Sequence, residues 1–164
     1  MDAGSQFVDV GLRAWRQAVD RSDAFFRALS DEQLQQQVAP GRNRLVYLWG
    51  HLAAVHDRML PLLGVGDRRH PELDADFLEN PDQPGKKLLS ATQLAAVWSE
   101  VNDALLAGTK GWGANEWLAR HTSVSEADFA KEPHRNRFSV LLSRTAHLAS
   151  HHGQAVLAGK RDER

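Results

Sequence analysis

Four stretches of this chain repeat apolar residues every three or four positions, and none alternates apolar and polar residues as a half-buried strand would. That period dictates helices, with Gly and Pro clusters dividing them. Phe7, Val10, Ala14, Ala18, Phe25 and Leu29 trace a first helix over about 5–29. Ser30-Asp31-Glu32-Gln33 has the form of a capping box for a short helical turn, and Pro40-Gly41 then breaks the chain. Leu45, Leu48, Leu52, Val55, Met59 and Leu63 mark a second helix over about 44–63, with Asn43 as candidate N-cap and Pro61 disturbing the last turn. A second capping box, Ser90-Ala91-Thr92-Gln93, opens a third helix over about 91–109, with Leu94, Val97, Trp98, Val101 and Leu105 on one side. A final helix spans about 137–159, and 114–135 leaves room for short helices at 115–121 and 125–130.

Residues 64–89 hold Gly64, Gly66, Pro71, Pro81, Pro84 and Gly85 and read as a long connection. Connections of this length line a site or an interface, or are linkers of low stability. The expected fold is all-α: a four-helix bundle with a long crossover after helix two, forming a single domain over 1–164.

Charge and composition narrow the function. The net charge is −1 and the basic residues are scattered, so no basic stripe is present for nucleic acid. No run of about 18 apolar residues is present, so no membrane-spanning helix is expected. The N-terminus lacks the basic region of a secretion signal, which makes the cytoplasm the expected location. There is no cysteine, which excludes disulfides, iron–sulfur clusters, thiolate zinc sites and a cysteine nucleophile. Thiol chemistry would need a small-molecule thiol, and histidine and carboxylate remain as the strong metal ligands.

His147 and His151 lie four residues apart in the final helix. Positions i and i+4 share a helix face, roughly 6 Å apart, so two imidazoles there can grip one ion from the same side. On a helical wheel they share a face with Val140 and Ala158, near Arg144 and Gln154, apart from the main apolar row of Leu141, Leu142, Thr145, Leu148, Ala149 and Val156. His51, on the edge of the second helix's stripe, is the candidate third ligand, and His56 occupies the opposite edge. A three-histidine site would leave positions open for water or substrate. The alternative for each histidine is structural: a polar flank facing water, or a half-buried packing residue. His152 is rotated about 100° from His151 and reads as a packing or dimer-contact residue. His70, His121 and His134 fall in expected loops, where His121 or His134 could approach a pocket.

These motifs, Leu48-Trp49-Gly50-His51-Leu52 and His147-Leu148-Ala149-Ser150-His151-His152-Gly153-Gln154, resemble those of the DinB/YfiT-like superfamily of metal-dependent enzymes. Helix order, chain length and the long connection after helix two agree, so the resemblance covers essentially the whole chain. It implies a four-helix bundle, often homodimeric, with His51, His147 and His151 as ligands to zinc, nickel or iron. It also implies activities that include S-transfer with low-molecular-weight thiols and isomerisation. The arginine that commonly follows the last ligand is here His152, which leaves the role of that position open.

The resemblance favours a thiol-dependent S-transferase or isomerase acting on a small molecule. A hydrolase using metal-bound water, and a non-catalytic metal-binding or dimerising helical protein, are the alternatives. An ion held by three neutral imidazoles keeps its full charge and would acidify either bound water or a bound thiol. Gln154 is placed to orient a ligand or substrate, and Arg144 to hold an anionic substrate or simply to stand in solvent. No general base is evident: Asp57 lies away from His51 on the wheel, and Glu100 and Asp103 read as a solvated face. Trp49, Trp98, Trp112 and Trp117 wall a pocket or pack the core.

Overall fold

A computed structural model of the protein describes residues 3–159. Helices α1 (Ala3–Arg27), α2 (Leu45–Leu63), α4 (Ala91–Gly108) and α7 (Arg137–Gly159) are the four long ones. Three short helices, α3 (Leu73–Phe77), α5 (Ala114–Leu118) and α6 (Glu126–Lys131), and a 3-10 turn at Gln33–Gln35 complete the chain. No strand forms among the described residues; Gln37 with Arg44 and Arg120 with Asn136 make isolated bridges. The long helices pack in a ring, α1 on α7, α7 on α2, α2 on α4 and α4 on α1. This is the all-helical bundle that the periodicity dictates.

Helix α2 is the centre of the molecule. It is buried nearly all round, from Leu45 to Leu63, rather than along one stripe. A helix apolar on every face belongs inside a protein. His56, expected at a stripe edge, is therefore fully buried: its Nδ1–H donates to Asn102 Oδ1 over 2.9 Å and its ring stacks on Trp98. Trp49, Trp98 and Trp117 are buried core residues, while Trp112 lies under the Arg137 guanidinium.

Helix α1 presents a different face from the expected one. Val8, Gly11, Trp15, Ser22 and Phe26 point inward, while Phe7 and Val10 are 72% and 65% exposed. Two apolar rows run side by side on this helix, and the one carrying Trp15 and Phe26 buries the larger side chains. Phe26 stacks on Trp49 at 5.3 Å, which fixes the choice.

Both capping boxes form. Ser90 and Gln93 exchange side-chain to backbone bonds at the start of α4, and Ser30 and Gln33 do the same before the 3-10 turn. Asn43 does not cap α2; Arg44 holds that position with no side-chain cap. Instead Asp82, from the crossover, accepts the Arg44 backbone N–H at 2.7 Å and its guanidinium at 2.6 Å. Pro61 leaves α2 helical to Leu63, where Gly64 (φ 74°) ends it with its N–H on the Leu60 and Pro61 carbonyls.

The crossover is pinned rather than loose. Asp57 on α2, fully buried, accepts the N–H groups of Arg69 and His70 and the Nε of Arg68. Arg68 also grips Asp74, whose carboxyl its hydrogen bonds hold down at about 2. These ties deliver α3 onto α2, where the Phe77 ring lies over Gly50 in the space a Cβ would fill. A Gly50→Ala substitution must therefore push Phe77 away. We expect a loss of about 1–3 kcal/mol of stability, measured by denaturant unfolding; an unchanged midpoint would show that the ring can move freely.

Burial lowers the His56 pKa to about 4, with the Asn102 hydrogen bond opposing. The unfolded chain then binds a proton that the folded chain refuses, so stability falls as pH drops from 6.5 toward about 4. Replacing both partners (His56→Phe with Asn102→Leu) should flatten the stability–pH slope in that window. A slope equal to wild type would contradict the assignment.

Candidate metal centre

Helices α2 and α7 run antiparallel: His51 meets His147 and His151, and further along α2, Leu62 shares a cavity wall with Val140. Val140, Arg144, His147 and His151 fall at intervals of three or four residues, so they form one row along α7. His147 Nε2 lies 3.2 Å from His51 Nε2 and 3.1 Å from His151 Nε2. One nitrogen from each ring falls within 4.8 Å of the others, making these three the group among the described residues that could hold a metal. A tetrahedral zinc ion with Zn–N bonds of about 2.05 Å would set its ligand nitrogens about 3.3 Å apart. The two distances from His147 match that spacing, and the third pair lies within 4.8 Å.

The outer nitrogens say which inner ones are free. His51 Nδ1–H donates to the Phe77 carbonyl over 2.9 Å, and His151 Nδ1–H donates to Gln154 Oε1 over 3.2 Å. Those bonds assign the tautomers and leave both Nε2 atoms as lone pairs aimed at His147. His147 Nδ1 is buried without a partner. A proton on His147 Nε2 can satisfy only one of its two neighbours, whereas a cation satisfies all three. The donor set therefore fits a borderline divalent ion.

The electrostatics favour the neutral imidazole at His147 and His51. Burial lowers the His147 pKa to about 4, helped by His151, His51, Arg144 and His56. His51 is also lowered by burial, against the Phe77 hydrogen bond, and by His151 and Arg144. Neutral imidazole is the ligating form.

The remaining sequence candidates sort by position. Gln154 is on the exposed rim, touching His151 and lining a cavity of about 520 Å³ with Val38, Ala39, Arg42, Asn43 and Leu157. Arg144 is half-buried one turn before His147. Asp57 is occupied in the crossover, and Glu100 bonds to His70 at 3.1 Å, so neither joins the site. His70 also bonds Glu72, and His152 packs edge-on against Phe25 at 5.7 Å. His121 and His134 do approach a pocket, lining a cavity with Arg144. The Phe77 carbonyl escaped the sequence reading because backbone acceptors leave no residue signature; Gly50, which admits the Phe77 ring next to His51, was the available hint.

The DinB superfamily model matches residues 14–155. The fold is similar to the crystal structure of a DinB-like protein from Bacillus cereus ATCC 10987, with a TM-score of 0.65 and 18% identity, covering 93% of this chain and 91% of that one. No curated protein matches the chain. The match spans most of the sequence and both histidine motifs, and the chain belongs to the DinB superfamily.

Proposed function

We propose that the protein is a divalent-metal-dependent enzyme of thiol-transferase or thiol-assisted isomerase type, with His51, His147 and His151 as ligands. The observation that carries this reading is the convergence of three Nε2 atoms at ligand spacing, two of them stripped of protons by their Nδ1 partners. Zinc, nickel and iron all suit such a donor set. When bound, the ion supplies a positive charge that acidifies a thiol or water ligand.

Two features favour the thiol over water. The histidine trio itself includes no carboxylate among the described residues, so the trio supplies no carboxylate general base for hydrolysis. A thiol sits much closer than water to its own pKa near neutrality and needs less help to ionise. With no cysteine in the chain, the thiol is a low-molecular-weight cosubstrate. Gln154 then holds the His151 ring in its ligating orientation. A cytoplasmic homodimer acting on a small molecule completes the proposal; the resemblance and the exposed Phe7 and Val10 on α1 support the dimer.

Wild-type protein grown with added metal should carry one divalent ion per chain, and His147→Ala should carry little. Equal metal content in the two by elemental analysis would refute the ligand assignment. Gln154→Leu should weaken metal binding by roughly 10–100-fold, as losing the hydrogen bond behind a ligating histidine does; a chelator competition with wild-type affinity would leave Gln154 as a surface residue. Metal-loaded protein should join a low-molecular-weight thiol to an activated chloroarene, the thiolate displacing chloride. Thiol-independent hydrolysis would favour the hydrolase, and bound metal with no turnover would favour a binding protein.

A further inference from the structure

A cavity of about 310 Å³ opens beside the first turns of α7, one turn from His147. Its polar lining includes Arg144, Arg135, His121, Asn136, Ser139 and Ser143, and no carboxylate lines it. Arg135 already bonds Glu132 at 3.1 Å, on the surface. Arg144 makes no hydrogen bond or ion pair among the described residues, and its Nε is shut off from solvent without a partner.

Arg44 is closed on Asp82, and Arg68 on Asp57 and Asp74. Arg137, whose Nε is likewise buried without a partner, still donates to the Glu116 carbonyl and lies over the Trp112 ring, whereas Arg144 has neither kind of contact among the described residues. An arginine cannot shed its charge, and a sheltered guanidinium with an unused donor costs stability until an anion meets it.

We propose that this cavity is an anion site that takes the carboxylate of a small organic acid on the Arg144 guanidinium, and that it selects carboxylate-bearing substrates for the metal centre. The planar guanidinium fork matches a carboxylate in two parallel hydrogen bonds, and the serine hydroxyls and histidine N–H groups supply further donors. Arg144 and His147 are three residues apart, about 4.5 Å along the helix axis. The substrate is therefore a compact acid, with its carboxylate only a few bonds from the reacting atom. The anion site does not need the metal; its role in selecting substrates rests on the metal-enzyme reading.

Titration calorimetry on the full chain, metal-free and zinc-loaded, tests this with succinate and inorganic phosphate as probes. Succinate should bind saturably to metal-free wild type and about tenfold or more weakly to Arg144→Gln, with melting temperature and zinc content retained. Ser143→Asp, which puts a negative charge on the wall, should weaken it likewise and stands in if Arg144→Gln fails to fold. Wild type without saturable succinate binding, or variants that bind as wild type does, would overturn the site. Phosphate binding more tightly than succinate would overturn the carboxylate class. His147→Ala should lose zinc yet keep succinate, so a failed metal centre and a failed anion site are told apart. In zinc-loaded protein, Arg144→Gln should cut kcat/KM for a carboxylate-bearing electrophile about tenfold while sparing its methyl ester; equal losses on both would overturn the selectivity.

Discussion

The contact of α2 with α7 is the constraint from which the site follows. Helix α2 is enclosed by α4, α7 and the crossover, so its rotation is fixed by packing on every side. A one-residue turn of this helix would swing each side chain by about 100° and bury a different set. Because the core forbids that, His51 has a single place to point, toward the row of His147 and His151 on α7. The placement of the imidazoles derives from hydrophobic packing: they sit on two helices, and those of His51 and His151 are oriented by hydrogen bonds at their outer nitrogens.

The distribution of charge separates structure from chemistry. In the crossover, arginines and aspartates are matched: Arg44 with Asp82, and Arg68 with Asp57 and Asp74. Removing one partner of such a sheltered pair leaves the other uncompensated, so these bonds hold the crossover against α2. Along the α2–α7 seam the balance is abandoned. His51 and His147, whose pKa values burial lowers, line it with His151 and an arginine that has no acid partner, and no carboxylate joins the histidine trio among the described residues. The donor chemistry of such a seam suits a cation on the imidazole lone pairs, and the unpaired guanidinium is the basis of the proposed anion site.

How far the sequence could be read depended on whether the signal was local. Capping boxes at Ser30 and Ser90 involve four consecutive residues, and both formed. The spacing of His147 and His151 is also local, and helical geometry placed them together. The face of α1 was not legible, because Phe7 and Val10 form as good an apolar row as Val8 and Trp15 until the Phe26–Trp49 stack decides. The cap of α2 was missed for a similar reason: Asp82 reaches Arg44 across 38 residues of sequence, and no local pattern announces it. His56 looked like the mirror image of His51, yet full enclosure of α2 made one a core residue and left the other half-buried at the seam.

Whether three imidazoles hold one ion can be read from X-ray absorption at the metal edge of reconstituted protein, because imidazole rings give a distinct outer-shell scattering pattern. About three imidazole nitrogens are expected at roughly 2.0–2.1 Å, with the remaining coordination from exchangeable ligands. A spectrum fitted by oxygen ligands alone, without imidazole scattering, would contradict the three-histidine assignment.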